Sequence, residues 1–391
     1  MEGSKNINLI FSFFSPQGAP EGSANESVFL PPDEKNSKTI SWAGVWLPYD
    51  GYGNANINSA NAMVRMGCDI EIVNMPAYIN SEWRHQLPVT LRSLVDKSVP
   101  HERARNERRV VFFPPNSYSY LHGQKTMAIT MFETTKIPDV WVPGINQWTD
   151  RMVVPSRWNK EVFENCGVMV PIDVVPLAVD FAKYPRMERW DSKYFVFLMY
   201  GNLSKRKGVD IAYNAFRKAF SKKDDVRLVL KTIRHTLRCD KSARGDDQVV
   251  FIDEEYDQEQ MRELMAQADV VLSPSRGEGF GMCPVESMAT GAAVILTDGT
   301  ALSEMCDDRF NIGIPYKKWV KADYEFCWLK EDVGEWVEPD ADYLADAMRW
   351  CYENPDKAKA MGRSAASWVR TQYGAVKHGK RLAESMEATW G

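Results

Sequence analysis

Val270-Val271-Leu272-Ser273-Pro274-Ser275-Arg276-Gly277-Glu278-Gly279-Phe280-Gly281-Met282-Cys283-Pro284-Val285-Glu286 decides how this chain folds. The apolar residues at its start read as a short buried strand, and the residues after Pro284 read as a helix. Between them lies a turn holding three glycines and a glutamate. Gly279 and Gly281 let backbone approach a ligand closely, and the N–H groups opening a helix suit a phosphate. Glu278 sits on the turn and Glu286 inside the helix, eight positions later. A tight strand–helix connection with Glu286 in solvent would explain the glycines, but it gives no reason for Glu278 among them.

A second stretch repeats the design upstream. Strand 194–200 ends at Gly201-Asn202-Leu203-Ser204-Lys205-Arg206-Lys207-Gly208, and a helix follows over 208–220. Three cations in a row oppose the positive end of the helix dipole. Either they are solvated, or an anion relieves the conflict. The G-x-x-x-x-G-K-[ST] spacing is absent, which excludes a P-loop NTPase. Further strands are expected at 226–232, 249–252, 270–272 and 293–297, with helices near 257–267 and 284–290. The alternation predicts a doubly wound parallel sheet. Three helices are expected at 340–353, 355–372 and 376–390.

The N-terminal half follows the same rule. Strands are expected at 7–14, 40–47, 69–74, 110–113, 127–132, 151–154 and 172–175. Residues 15–39 read as a long Pro/Gly/Ser/Asn loop. Asp50-Gly51-Tyr52-Gly53-Asn54 reads as a glycine loop before a helix running to Met66. Ser156 and Gly167 bound a helix over 156–166. The pattern lapses around Pro176 to Trp190. The expected division is 1–180 for one Rossmann-like domain and 181–372 for a second. A terminal helix, 373–391, is expected to pack back on the first domain.

The 391 residues carry 48 Lys or Arg against 53 acids, a net of −5, which argues against a protein that coats nucleic acid. The charge is uneven. Lys183 to Arg244 holds 17 Lys or Arg against six acids, and Gly245 to the end holds 15 against 28. Either basic surface faces acidic surface within one domain, or the basic block lines an anion site. A smaller basic stretch runs from Arg84 to Arg109. Seven widely spaced Cys without C-x-x-C fit a reducing compartment. No segment has the roughly 18 apolar residues of a membrane span. The expected protein is soluble and cytoplasmic, and its oligomeric state stays open.

The pair Glu278…Glu286 resembles the E-x7-E motif of the retaining nucleotide-sugar glycosyltransferases of family four, which have the GT-B fold. Lys207-Gly208 resembles their pyrophosphate-binding turn. Val154-Pro155-Ser156-Arg157-Trp158 and Val174-Val175-Pro176-Leu177-Ala178-Val179-Asp180 resemble the close of their N-terminal domain. The resemblance implies an α/β fold of two facing Rossmann-like domains with a C-terminal helical segment, the first domain (1–180) binding the acceptor and the second (181–372) the nucleotide sugar. It implies that Glu286 holds the ribose hydroxyls, that Glu278 lies by the transferred sugar, and that the Gly279, Phe280, Gly281 and Met282 backbone contacts sugar and phosphate. It implies that Lys207 binds the pyrophosphate. Asn202 stands where relatives carry Arg, so Arg206 is the candidate second cation. Asp253 to Gln258 lies where such enzymes seat the base, and Gly51 and Gly53 face the donor from the other domain. Glu133, at the end of a middle strand, is the candidate for orienting a sugar or acceptor hydroxyl; His122 is a second candidate, and both also read as structural. Lys207 and Arg206 would stand in for a metal ion, and no cofactor is expected beyond a UDP- or GDP-sugar substrate.

The acceptor reads as a glycan, a lipid-linked sugar, a small molecule or a modified DNA base. The aromatic stretch 305–336 reads as a self-packed insertion or as an acceptor platform, lid or oligomer contact. A non-catalytic nucleotide-sugar binder and a GT-B epimerase or phosphorylase are the rival readings.

Overall fold

A computed structural model describes residues 38–48, 51–74, 81–189, 192–232, 245–322 and 331–391. The strand expected at 7–14 and nearly all of the loop expected at 15–39 lie outside them. Two parallel sheets form the frame. The first has the order β3-β2-β1-β4-β5-β6-β7. Its strands are β1 (Ile40–Gly44), β2 (Ile70–Asn74), β3 (Val99–Pro100), β4 (Arg109–Phe112), β5 (Thr126–Ile129), β6 (Arg151–Val154) and β7 (Ile172–Val174). The second has the order β10-β9-β8-β11-β12-β13. It is built from β8 (Phe195–Tyr200), β9 (Val226–Thr232), β10 (Val249–Asp253), β11 (Val270–Ser273), β12 (Ala293–Thr297) and β13 (Ile312–Ile314).

Helices cover both faces of the second sheet, so central strands such as β8 (Phe195–Tyr200) and β12 (Ala293–Thr297) are apolar almost throughout. Phe197 and Met199 of β8 enter one core with Phe216 and Met348, while Val196 and Leu198 enter the other with Val285 and Val369. Alternate residues of one strand thus serve two cores, as the period of two requires. The strand order reverses between β8 and β11. Their carboxyl ends release the 201–208 and 274–281 loops side by side, with helices Val209–Ala219 and Met282–Ala289 on opposite faces. Such a switch point leaves a crevice for a ligand.

In the first domain Ser156 caps helix Arg157–Asn165 by accepting the Asn159 N–H at 3.1 Å, and Gly167 follows with φ +96°. Residues 51–65 correct one expectation. Gly51 and Gly53 do not form a loop; they lie in the first turn of helix Gly51–Arg65. The missing Cβ of Gly53 serves packing, since a Cβ there would lie 2.1 Å from the Leu47 carbonyl oxygen. Helices Val89–Asp96, Tyr118–Leu121 and Trp141–Trp148 are additions to the expected pattern; their apolar runs are short and interrupted.

The chain crosses between the domains at Val179 and again at Gly374, where the two crossings form an isolated β-bridge. Helix Ala375–Trp390 then packs on helix Gly51–Arg65, with Gly379 against Met66 and Ala62. Among the described residues, part of the uneven charge is paired within the C-terminal domain. Arg217 and Lys222 pair with Asp246, and Lys218 with Asp342. Basic segment thus faces acidic segment.

β14 (Tyr316–Lys321) and β15 (Glu335–Pro339) form an antiparallel hairpin inside the aromatic stretch. Its Ala322, Val333 and Trp336 are buried in one cluster with Phe132, Ile137 and Trp141 of the first domain. Phe310 instead stacks on Trp368 at 5.0 Å. Among the described residues the stretch is divided: Trp336 and Phe310 go to two different partners, while Tyr316 packs edge-on against Trp319 at 5.6 Å. Tyr324, Phe326 and Trp328 lie outside the described residues.

Candidate active site

The two loops at the β8/β11 switch point meet through one carboxylate. Glu278 is buried, and its Oε1 accepts from Lys207 Nζ at 2.5 Å and Ser275 Oγ at 2.8 Å. Arg206 lies 3.4 Å from Oε2 and donates to the Gly277 carbonyl at 2.8 Å. Burial alone would raise the Glu278 pKa, but Lys207 and Arg206 outweigh it and hold the carboxyl below its ordinary range. The cation run therefore has an internal counter-charge before any ligand enters. Gly208 makes the sharp turn after it: its φ is +77°, and a Cβ would lie 2.0 Å from the Pro274 carbonyl oxygen.

Glu286 occupies the second turn of helix Met282–Ala289, also buried. Burial raises its pKa, and hydrogen bonds from Tyr184 and Tyr200 pull it back. Tyr200 Oη lies 3.3 Å from Glu286 Oε2 and donates to the Cys283 carbonyl at 2.9 Å. The two glutamates thus differ: one is neutralised by cations, the other is held by phenols. Phe280 is buried edge-on against Tyr373 at 5.4 Å, and Gly281 precedes the helix with φ +104°. Asn202 is half-buried in the turn after β8, and Asp253 is exposed at the end of β10.

The first domain closes on this loop mainly through backbone. A Cβ on Gly277 would lie 2.1 Å from the Glu133 carbonyl oxygen, and one on Gly279 would meet Met131 at 2.9 Å. Ser156 Oγ donates to the Gly279 carbonyl at 3.0 Å. The Glu133 backbone is thus brought against the Glu278-bearing loop. His122 is not: it precedes β5, at the opposite end of the strands, and stacks on Trp148 at 4.4 Å. Beside Phe280 a cavity of about 850 Å3 opens between the domains, lined by Arg157, Glu304, Trp368, Tyr373 and Arg381 among others.

Three features escaped sequence reasoning. Arg276 is buried between Asp210 and Glu338. Thr300 accepts the Glu278 N–H at 3.1 Å with a φ of +52°, a strained value for a β-branched residue. Tyr184 and Tyr200 flank Glu286. A cation inside the Gly-rich loop was a visible signal for the first; Thr300 left none. Asp340-Ala341-Asp342, the one Asp-x-Asp of the sequence, caps helix Ala341–Glu353 and pairs with Lys317 and Lys218. Among the described residues no three His, Cys, Asp or Glu side chains converge.

Residues 180–323 match the family described as glycosyl transferases group 1. A putative glycosyltransferase 45 of Sulfolobus islandicus filamentous virus is 26% identical over 238 residues, which cover 58% of this chain and 64% of the relative. A GDP-mannose-dependent alpha-(1-6)-phosphatidylinositol dimannoside mannosyltransferase of Mycobacterium tuberculosis is 28% identical over 167 residues, 40% of this chain and 43% of the relative. The matched region thus spans between two fifths and just under two thirds of these curated relatives. The Anabaena protein HepE, solved with UDP-glucose, superposes with a TM-score of 0.62 at 15% identity, covering 90% of this chain and 99% of HepE. No helix among the described residues is long and apolar enough to cross a membrane. Residues 180–323 are thus similar to the glycosyl transferases group 1, and the chain carries them on the two Rossmann-like domains of a GT-B fold.

Proposed function

We propose that the protein is a retaining glycosyltransferase that moves a sugar from a UDP- or GDP-sugar to an acceptor hydroxyl without a metal ion or further cofactor. One observation carries this reading: a buried carboxylate, Glu278, is ion-paired to Lys207 and Arg206 at the switch point of the C-terminal sheet. Lys207 and Arg206 take the diphosphate, with the N–H groups opening helix Met282–Ala289 beside them. Glu286, steadied by Tyr184 and Tyr200, accepts the ribose hydroxyls. Asn202 and Asp253 border the donor on the far side, and Gly51 and Gly53 face it from the first domain. As the anomeric carbon–oxygen bond breaks, negative charge grows on the leaving phosphate, where preorganised cations act most strongly. The acceptor oxygen bonds the anomeric carbon on the face the phosphate leaves, and its proton passes to a phosphate oxygen. Glu133 orients a sugar or acceptor hydroxyl.

The mycobacterial relative named for GDP-mannose and HepE bound to UDP-glucose support a nucleotide-sugar donor. A donor panel tests the proposal. A UDP- or GDP-sugar at 100 times its dissociation constant should stabilise the protein by about 2.7 kcal/mol, and free UDP or GDP should accumulate. Binding without release would make the protein a nucleotide-sugar binder; neither would remove the reading. The product's anomeric configuration by NMR decides retention, and activity undiminished by EDTA decides the metal. Modified-base DNA belongs in the acceptor panel. No specific observation favours it, since Arg84 pairs with Asp96 and Arg109 is buried.

A further inference from the structure

Arg276 touches neither glutamate of the pair, yet it organises both loops. Its guanidinium forks twice. Nε and Nη2 donate to Glu338 at 2.7 and 2.9 Å, while Nη1 and Nη2 donate to Asp210 at 2.8 Å each. Nη1 also donates to the Lys205 carbonyl at 2.6 Å. Its backbone N–H donates to the Arg206 carbonyl at 2.7 Å, and its carbonyl accepts from Val337 at 2.9 Å. One buried residue therefore joins the cation loop, the first turn of helix Val209–Ala219, strand β15 and the loop carrying Glu278. A bidentate Arg–carboxylate pair fixes direction as well as charge.

The same hairpin is gripped by the other domain. Thr134 Oγ1 donates to the Val333 carbonyl at 2.6 Å. Thr135 N donates to the Glu335 carbonyl at 3.0 Å, and Glu335 N donates to Thr135 Oγ1 at 2.8 Å. Glu335 and Glu338 lie on the same strand, so the N-terminal domain and Arg276 hold one short strand from two sides.

We infer that Arg276 is a positioning residue that transmits docking of the N-terminal domain, through β15, to the Lys207–Glu278 pair. This rests on the glycosyltransferase reading for its effect on turnover, but its structural half does not need a substrate. Thr134→Val changes only the first domain: it removes the hydrogen bond to the Val333 carbonyl of the hairpin and a local one to the Lys136 carbonyl. Amide hydrogen exchange of the ligand-free protein should then quicken at 205–208, in the other domain, and quicken likewise in Arg276→Lys. Unchanged exchange at 205–208 in Thr134→Val overturns the inference, whether or not Arg276→Lys folds. With an active donor, Arg276→Lys should lower kcat about 10- to 100-fold, and Thr134→Val should lower it several-fold in the wild type but no further in Arg276→Lys. Additive losses, or a folded Arg276→Lys with wild-type kcat, also overturn it. If wild-type protein neither binds nor turns over any nucleotide sugar, the function falls while the exchange result still decides the coupling.

Discussion

The two walls of the cleft are built on opposite principles. The C-terminal wall is a charge cluster: Lys207 and Arg206 converge on buried Glu278, and Arg276 on Asp210 and Glu338. The N-terminal wall meets it with carbonyls and small residues, through Glu133 against Gly277 and Ser156 against Gly279. The first arrangement stores electrostatic preorganisation in a low-dielectric site. The second sets how near two rigid bodies come. The comparison predicts that changes on one wall act through charge and on the other through distance.

The largest effect should follow Lys207→Ala. Losing one preorganised donor costs about 10²–10³ in rate, read by single-turnover transfer; a near-wild-type rate would break the charged half of the comparison. Gly277→Ala comes next. A methyl 2.1 Å from the Glu133 carbonyl oxygen must push the facing backbones apart, and a displacement of about 1 Å costs on the order of 10². Its signature should be lost turnover with donor affinity largely kept, by calorimetry. If donor affinity falls as steeply, the N-terminal wall also carries binding energy.

Glu133→Gln should cost far less, about a few-fold, because orienting a hydroxyl falls short of the roughly 10²–10⁴ of general base catalysis. A loss of about 10³, inside that range, would make Glu133 the base and displace the leaving phosphate from that role. The smallest effect should be Tyr200→Phe. In the proposed role, ionised Glu286 is the form that accepts ribose hydroxyls; burial already raises its pKa, and the phenol lowers it. Removing the phenol raises the pKa further. The acid limb of the donor KM profile should therefore move to higher pH, by less than about one unit. A shift to lower pH would show that the phenol stabilises the protonated acid instead.

Much of the fold was legible. Strands at 151–154, 226–232 and 293–297 and the three terminal helices stand where apolar spacing and Gly, Ser and Pro boundaries put them. Short two-core strands such as β8 announce themselves because every residue is apolar. Helices such as Tyr118–Leu121 do not, since four residues span barely one turn. In the candidate site, Glu278 and Glu286 stood out on the glycine-bearing turn and helix, and Lys207 and Arg206 in the cation run, before the resemblance attached roles to them. Their pairing was not legible, because Glu278 and Lys207 are 71 residues apart in the chain.

By itself the sequence determined most of the longer elements, the two glycine-bearing turns at strand ends of the second sheet and the residues those turns display, because periodicity, capping and backbone freedom act over a few residues. Tertiary structure alone decided that Glu278 is the counter-ion of the cation run, that Arg276 ties its own loop to three other segments, that the Glu133 backbone reaches the loop while His122 does not, and that the β14–β15 hairpin, unlike Phe310, packs on the first domain. Those outcomes depend on which strand ends lie side by side and how closely two domains approach, and both are set by packing between segments tens to hundreds of residues apart.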